Sequence, residues 1–178
     1  MRTRTAVAEA PELPRRRALS NLDRLYAEHA APALRFAFLL VGDAHLAEDL
    51  VQDAFLRMFG RFRHLRDPDA FGSYLNRTIV NLSRDYFRRR ALEAKHLEAE
   101  RDAAPPTTSL PDVAQHRVLI AALQTLPVRQ RAAVIMRHHQ DLSERQVADA
   151  LECSLGAAKA LIARGMEKLR KELEENER

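Results

Sequence analysis

The stretch DLSERQVADALECSLGAAKALIARGMEKL, residues 141–169, decides how this 178-residue chain folds. Ser143 followed by Gln146 predicts a capping box. The hydroxyl accepts from the third helical N–H while the Gln side chain returns to the cap. A short helix then runs to about Leu151, with Val147, Ala148 and Leu151 on one face. Glu152, Cys153 and Ser154 interrupt it, and Ser154 is placed to cap a second, longer helix. There Leu155, Ala158, Ile162, Met166 and Leu169 recur at helical spacing, while Lys159, Arg164 and Lys168 keep to polar positions. Two helices joined by a tight turn, the second basic and lined with small residues, predict a helix-turn-helix. The plainer alternative is an amphipathic helical hairpin. Gly156, Ala157 and Ala160 argue against it, because a bare helix start can sit deep in a major groove. Ser154, Gly156, Ala157, Lys159, Ala160 and Arg164 are therefore the candidate DNA-contacting residues at this end.

Working outward, Val118, Leu119, Ala122 and Leu123 predict a helix before Leu126-Pro127, where Pro opens another containing Ala133, Val134 and Met136. The adjacent His138 and His139 face different directions on a helix and lack a carboxylate or thiol partner at suitable spacing, so no metal site is expected. Upstream, DAAPPTTSLPD (residues 102–112) has three prolines and no aliphatic pattern, and residues 93–112 are assigned to a flexible linker. It separates a helical domain at 20–92 from the helix-turn-helix domain at 113–178, with residues 1–19 as a flexible arm. The fold class is all-α.

In the N-terminal domain Ser20 is expected to cap a first helix that Pro32 stops or kinks, and a second piece ends near Gly42. Asp43 caps the next helix, to about Phe62. Its apolar pairs Leu46/Ala47, Leu50/Val51, Ala54/Phe55 and Met58/Phe59 leave Glu48, Asp49, Gln52, Asp53 and Arg57 on the other side. By pattern alone that is the wet face of a core helix. After the basic connector RFRHLR (residues 61–66), Asp67-Pro68 starts a further helix. Phe71, Tyr74, Leu75, Thr78, Ile79 and Leu82 form its expected buried stripe, and Arg77, Asn81, Arg84 and Arg88 share a polar face that runs out in Arg88-Arg89-Arg90. A face this cationic, with Asn and aromatics interleaved, suits nucleic acid.

Composition sharpens the class. Hydrophobic residues make up 46% but aromatics only 6%, which favours small helical cores. The pI is near 9.6, and of the 29 basic residues only Lys95, Lys159, Lys168 and Lys171 are Lys. Arg is the better phosphate clamp, although a GC-rich genome would also favour it. One cysteine, Cys153, excludes an intrachain disulfide and suits a reducing compartment. The first residues lack the apolar core of a secretory signal, and the apolar run 36–41 is too short to span a bilayer, so a cytoplasmic protein without membrane insertion is expected. No phosphate loop or nucleophile–base pair stands out, and no enzyme activity or cofactor is expected.

With these pieces in order, the chain resembles a sigma factor of the sigma-70 family, in its extracytoplasmic-function (ECF) group. AEDLVQDAFLRMF (residues 47–59) looks like region 2.2, FGSYLNRTIVNLSRDYFRRR (residues 71–90) like regions 2.3 and 2.4, and residues 123–170 like region 4. The absence of a recognisable region 1.1 or region 3 marks the ECF group. The resemblance implies that Asp49, Gln52, Asp53 and Phe55 bind core RNA polymerase, through its β′ clamp helices, with the β subunit as a further contact. It implies that Arg66, Asn76, Arg77, Asn81, Arg84, Arg88 and Arg89 face the minus-ten element, and that the connector 64–69 captures a flipped base. Region 4 reads the minus-thirty-five element. Duplex and melted promoter DNA are the implied partners, with an anti-sigma factor as an optional one.

The chain departs from the family in having Tyr74 where Trp is common, Ala157-Ala158 in place of Thr-Val, and apolar Leu161 and Met166 at polar positions. Weaker phosphate anchoring by region 4 is the expected consequence, leaving Lys159 and Arg164 to carry more of it. A linker of about 20 residues spans up to ~65 Å at ~3.3 Å per residue, more than one ~34 Å turn of duplex. The two domains can therefore engage separated elements. The alternative is a stand-alone helix-turn-helix regulator of duplex operators, which would dimerise on a palindrome, yet no heptad run offers a dimer helix. A decoy that sequesters sigma-factor partners is a third reading, but it would not need the cationic face.

Overall fold

The computed structural model describes residues 14–61, 70–97 and 114–176. These residues form seven α-helices and no strand: α1 (Pro14–Val41), α2 (Ala44–Arg61), α3 (Phe71–Leu97), α4 (Ala114–Gln124), α5 (Val128–His138), α6 (Glu144–Ala150) and α7 (Leu155–Asn176). The expectations at Arg66, in the connector 64–69 and at Asp67-Pro68 lie outside the described residues, as does most of the expected linker.

Helix α1 starts earlier than expected and is not stopped at Pro32. It starts at Pro14, ahead of Ser20, and runs unbroken through Pro32. Pro14 stands where a missing N–H costs nothing. Pro32 and Glu28, whose carbonyl loses its helical partner, are both exposed, so water can satisfy that oxygen. The helix ends as predicted at Gly42, whose φ of +76° places it in the left-handed region. Its N–H returns to the Phe38 carbonyl at 2.7 Å. Asp43 then caps α2, its carboxylate accepting from the Leu46 N–H at 2.8 Å.

The first bundle closes on Phe36 and Leu40 of α1, Leu50, Val51, Ala54, Phe55 and Met58 of α2, and Phe71, Leu75 and Ile79 of α3, all buried. Two expected members of α3's stripe differ. Tyr74 is 43% exposed, and Thr78 is half-buried, its hydroxyl bonded to the Tyr74 carbonyl at 2.8 Å. The helix also continues beyond Arg90 to Leu97, because residues 91–97 (ALEAKHL) contain no breaker and favour helix.

The second bundle packs α5, whose residues Arg131 to Met136 are all buried, against α6 and α7. At the crossing of α5 and α7, Gly165 is buried, and a Cβ there would lie 2.6 Å from Val134 Cγ2 and 3.2 Å from the Gln130 carbonyl. Only hydrogen lets the two backbones approach this closely. Leu155, expected on the buried stripe, is instead exposed; Ala158, Gly165 and Leu169 carry the contact, with Leu161, Ile162 and Met166 partly buried against it.

The two bundles share a continuous core instead of standing apart. Helices α4 and α5 lie against α1, while α5 and α6 lie against α3. A cavity of about 870 Å³ runs along this seam, lined by Phe38, Leu46, Tyr86, Phe87, Ile120 and Val128 among others. The seam is clamped by Arg131 and Gln124. Arg131 Nη1 donates to the Leu40 carbonyl and to Gln124 Oε1, and Gln124 Nε2 donates to the Leu39 carbonyl at 3.4 Å. These are the unpaired carbonyls at the end of α1, so the second bundle caps the first.

Candidate nucleic-acid interface

The outer side of α2 presents Glu48, Asp49, Gln52, Asp53 and Arg57 to solvent, as the apolar spacing predicts. Phe55 does not share that face. It is 2% exposed and packs between Tyr26, Phe59 and Phe71 with ring centroids 4.9, 5.7 and 6.1 Å away. A ring held this way supports the surface from below, and the assignment of Phe55 as a direct contact is corrected. Its neighbour Leu56 is 68% exposed and stands beside Gln52 and Asp53. An isolated apolar side chain among carboxylates suits a contact surface, and the apolar pairs of α2 leave it out.

The cationic face of α3 divides in two. Asn81, Arg84, Arg88 and Arg89 are exposed, with Arg88 Nη2 3.2 Å from the Asp85 carboxylate. Asn76 and Arg77 turn toward the second bundle. Asn76 is only 8% exposed; its Nδ2 donates to Gln140 Oε1 at 2.8 Å, and Gln140 Nε2 donates back at 3.4 Å. Arg77 Nη2 donates to the Glu152 carboxylate. Asn81 and Arg84 line a small polar cavity with Arg129 and Glu152. Tyr86 and Phe87 meet edge to face at 5.4 Å, and the Arg131 guanidinium sits 5.8 Å over Phe87. Both rings belong to the seam in this conformation.

The helix-turn-helix forms by the predicted local chemistry. Ser143 Oγ accepts from the Gln146 N–H at 3.3 Å, and Gln146 Oε1 accepts from the Ser143 N–H at 2.8 Å. Ser154 Oγ accepts from the Ala157 N–H at 3.2 Å, capping α7. Gly156 and Ala157 are exposed, and a Cβ on Gly156 would meet nothing within 4 Å. Ala160 is half-buried at the edge of this bare surface. Lys159 Nζ lies 3.4 Å from Glu144 Oε2 across the motif, and Arg164 Nε bonds back to the Ala160 carbonyl at 3.2 Å. Both cations remain exposed. Ala158 is fully buried and Leu161 and Met166 are partly buried against the core, so the apolar residues at those positions serve packing.

Among the described residues no group of three His, Cys, Asp or Glu is placed to hold a metal, and no helix is long and apolar enough to cross a membrane.

An acidic helix face, a cationic helix and a helix-turn-helix follow one another along the chain. The chain matches Sigma-70 region 2 over residues 25–93 and Sigma-70, region 4 over residues 116–169. It is 35% identical over 141 residues to RNA polymerase sigma-E factor of Streptomyces avermitilis, covering 79% of this chain and 78% of that one. It is 33% identical over 160 residues to RNA polymerase sigma factor CarQ of Myxococcus xanthus, covering 86% and 89%. ECF RNA polymerase sigma factor SigE of Mycolicibacterium smegmatis is 33% identical over 159 residues, covering 86% of this chain and 62% of the relative. Among solved structures, the sigma factor RpoE of Bartonella quintana, crystallised with the anti-sigma factor NepR, shares the fold with a TM-score of 0.67 over 90% of this chain and 96% of that one, at 21% identity. This chain belongs to the sigma-70 family of RNA polymerase sigma factors, in the ECF group.

Proposed function

We propose that this chain is a promoter-specificity subunit: it binds core RNA polymerase, directs it to promoters and assists melting, without catalysis of its own. The observation that carries this is the pairing of an intact region 2 and region 4 with exposed charge of opposite sign on α2 and α3. Asp49, Gln52 and Asp53, joined by Leu56, form the surface offered to the β′ clamp helices. Asn76, Arg77, Asn81, Arg84, Arg88 and Arg89 hold the minus-ten strand, their guanidinium groups on phosphates and the two amides on base edges. Gly156, Ala157 and Ala160 admit the major groove, while Ser154, Lys159 and Arg164 anchor the phosphates of the minus-thirty-five element. The protein works where core polymerase works, in the cytoplasm, and an anti-sigma factor is a further partner.

The test is transcription in vitro with purified core polymerase, this protein and a genomic DNA library. Transcript starts that share two spaced upstream motifs are expected. Specific duplex binding by the protein alone, with no transcripts, would favour a stand-alone regulator instead.

A further inference from the structure

Glu152 is a residue its own turn does not favour. It lies in the helix-turn-helix turn with φ of +49°, in the left-handed region that costs a residue with a Cβ and that Gly adopts freely. The turn is already closed by backbone bonds, from the Glu152 N–H to the Asp149 carbonyl at 3.3 Å and from the Cys153 N–H to the Ala148 carbonyl at 3.0 Å. Nothing in the turn needs a carboxylate. The side chain instead crosses the seam to the Arg77 guanidinium, while Gln140, at the entry to the same motif, saturates the Asn76 amide. Strain kept at a position whose side chain does something elsewhere points to function.

The pairing has a definite chemical sense. A carboxylate on an arginine and an amide on an asparagine are the groups that a phosphate and a base edge would supply. We propose that Glu152 and Gln140 act as an internal stand-in for promoter DNA, occupying Arg77 and Asn76 until single-stranded DNA displaces them. This rests on the assignment of Asn76 and Arg77 to the promoter-facing side. The Arg77–Glu152 pair is partly exposed, with side-chain accessibilities of 36% and 53%. It is therefore a weak closure, easily displaced by a polyanion.

The experiment is a fluorescence-anisotropy titration of a fluorescein-labelled pool of random single-stranded oligonucleotides with the full chain, at low and moderate salt. It compares the parent with Glu152→Gly, Arg77→Ala and the double variant. Glu152→Gly relieves the backbone strain, so its melting temperature should not fall, and its affinity for the pool should rise by about two- to fivefold, the range of one exposed ion pair. The gain should shrink as salt rises, and Arg77→Ala should abolish it. Glu152→Gly binding like the parent, while Arg77→Ala weakens both, would overturn the stand-in and leave the promoter assignment intact. If Arg77→Ala changed nothing even in the Glu152→Gly background, the assignment of Arg77 to DNA would fail, and the stand-in with it.

Discussion

Arg131 of α5 donates a hydrogen bond to the carbonyl of Leu40, 91 positions earlier at the end of α1. The same guanidinium donates to the Gln124 and Leu126 carbonyls at 2.8 and 2.9 Å, leaving only Nε without a partner. Burial pushes its pKa down from the ordinary guanidinium range to about 10. Replacing Arg131 with Met removes the desolvation cost but strands three backbone carbonyls, those of Leu40 and Leu126 in buried bonds. A loss of about 3 kcal/mol or more is expected in urea unfolding, as when one side of a buried charged network is deleted. Lysine should rescue little, since one ammonium cannot fork across these acceptors. The sign of the pH effect is fixed. The folded value lies below the unfolded one, so the burial cost is full below about pH 10 and falls as pH climbs toward the unfolded value. The gap between parent and Arg131→Met should therefore stay flat from about pH 6 to 9.

On α2 the exposed and buried neighbours should separate binding from folding. Asp49→Ala, Asp53→Arg and Leu56→Ala are each expected to weaken core-polymerase affinity by roughly 1 kcal/mol or more, with unchanged melting temperature. Phe55→Ala should cost about 3–5 kcal/mol of stability, because it empties a packed aromatic site. A titration against labelled core enzyme beside a thermal melt distinguishes the two classes. Unchanged affinity in all three surface variants would place the polymerase contact elsewhere.

Local chemistry was legible in the sequence, and long-range closure was not. The caps at Asp43, Ser143 and Ser154 are set by residues within three positions, and the structure forms each of them. Gly42 ends α1 for an equally local reason. Pro32 does not stop the helix, and the exposure that lets water replace its lost bond is not visible in a pattern of residues. Phe55 and Leu56 were separable at the candidate site, because the pair Ala54/Phe55 belongs to the apolar stripe of α2 and Leu56 falls outside it; the packing of Tyr26 and Phe71 on Phe55 agrees. The docking of the second bundle on α1 and α3 was least legible, since no local pattern pairs Arg131 with Leu40 or Glu152 with Arg77.

Gly165 yields a prediction about how the helix-turn-helix domain holds together. Alanine normally favours a helix by about 1 kcal/mol over glycine. Here its Cβ would sit 2.6 Å from Val134 Cγ2, a contact that α5 or α7 must move to relieve. Overpacking of this kind costs about 1–3 kcal/mol, so Gly165→Ala should be neutral to destabilising where a surface site would gain. Val134→Ala removes the obstructing methyls and should make the two changes couple favourably in a double-mutant cycle of unfolding energies. Additive effects would mean that the close approach of α5 and α7 is not what selects glycine.

Lys159 and Glu144 give the last test, because their 3.4 Å pair links the two helices of the DNA-reading motif across its exposed side. An ion pair of this exposure contributes at most about 1 kcal/mol to folding, so neither side chain should matter much to stability. Their effects on duplex binding should be opposite. Lys159→Ala removes a phosphate anchor and should lower affinity across sequences while reducing the log–log salt slope by about one. Glu144→Ala should raise affinity modestly, since it frees the ammonium and removes a negative charge beside the groove. Measuring both over a salt series with duplex promoter fragments separates anchoring from packing. If Lys159 serves only to brace the motif through Glu144, the two variants will weaken binding alike and the salt slope will not move.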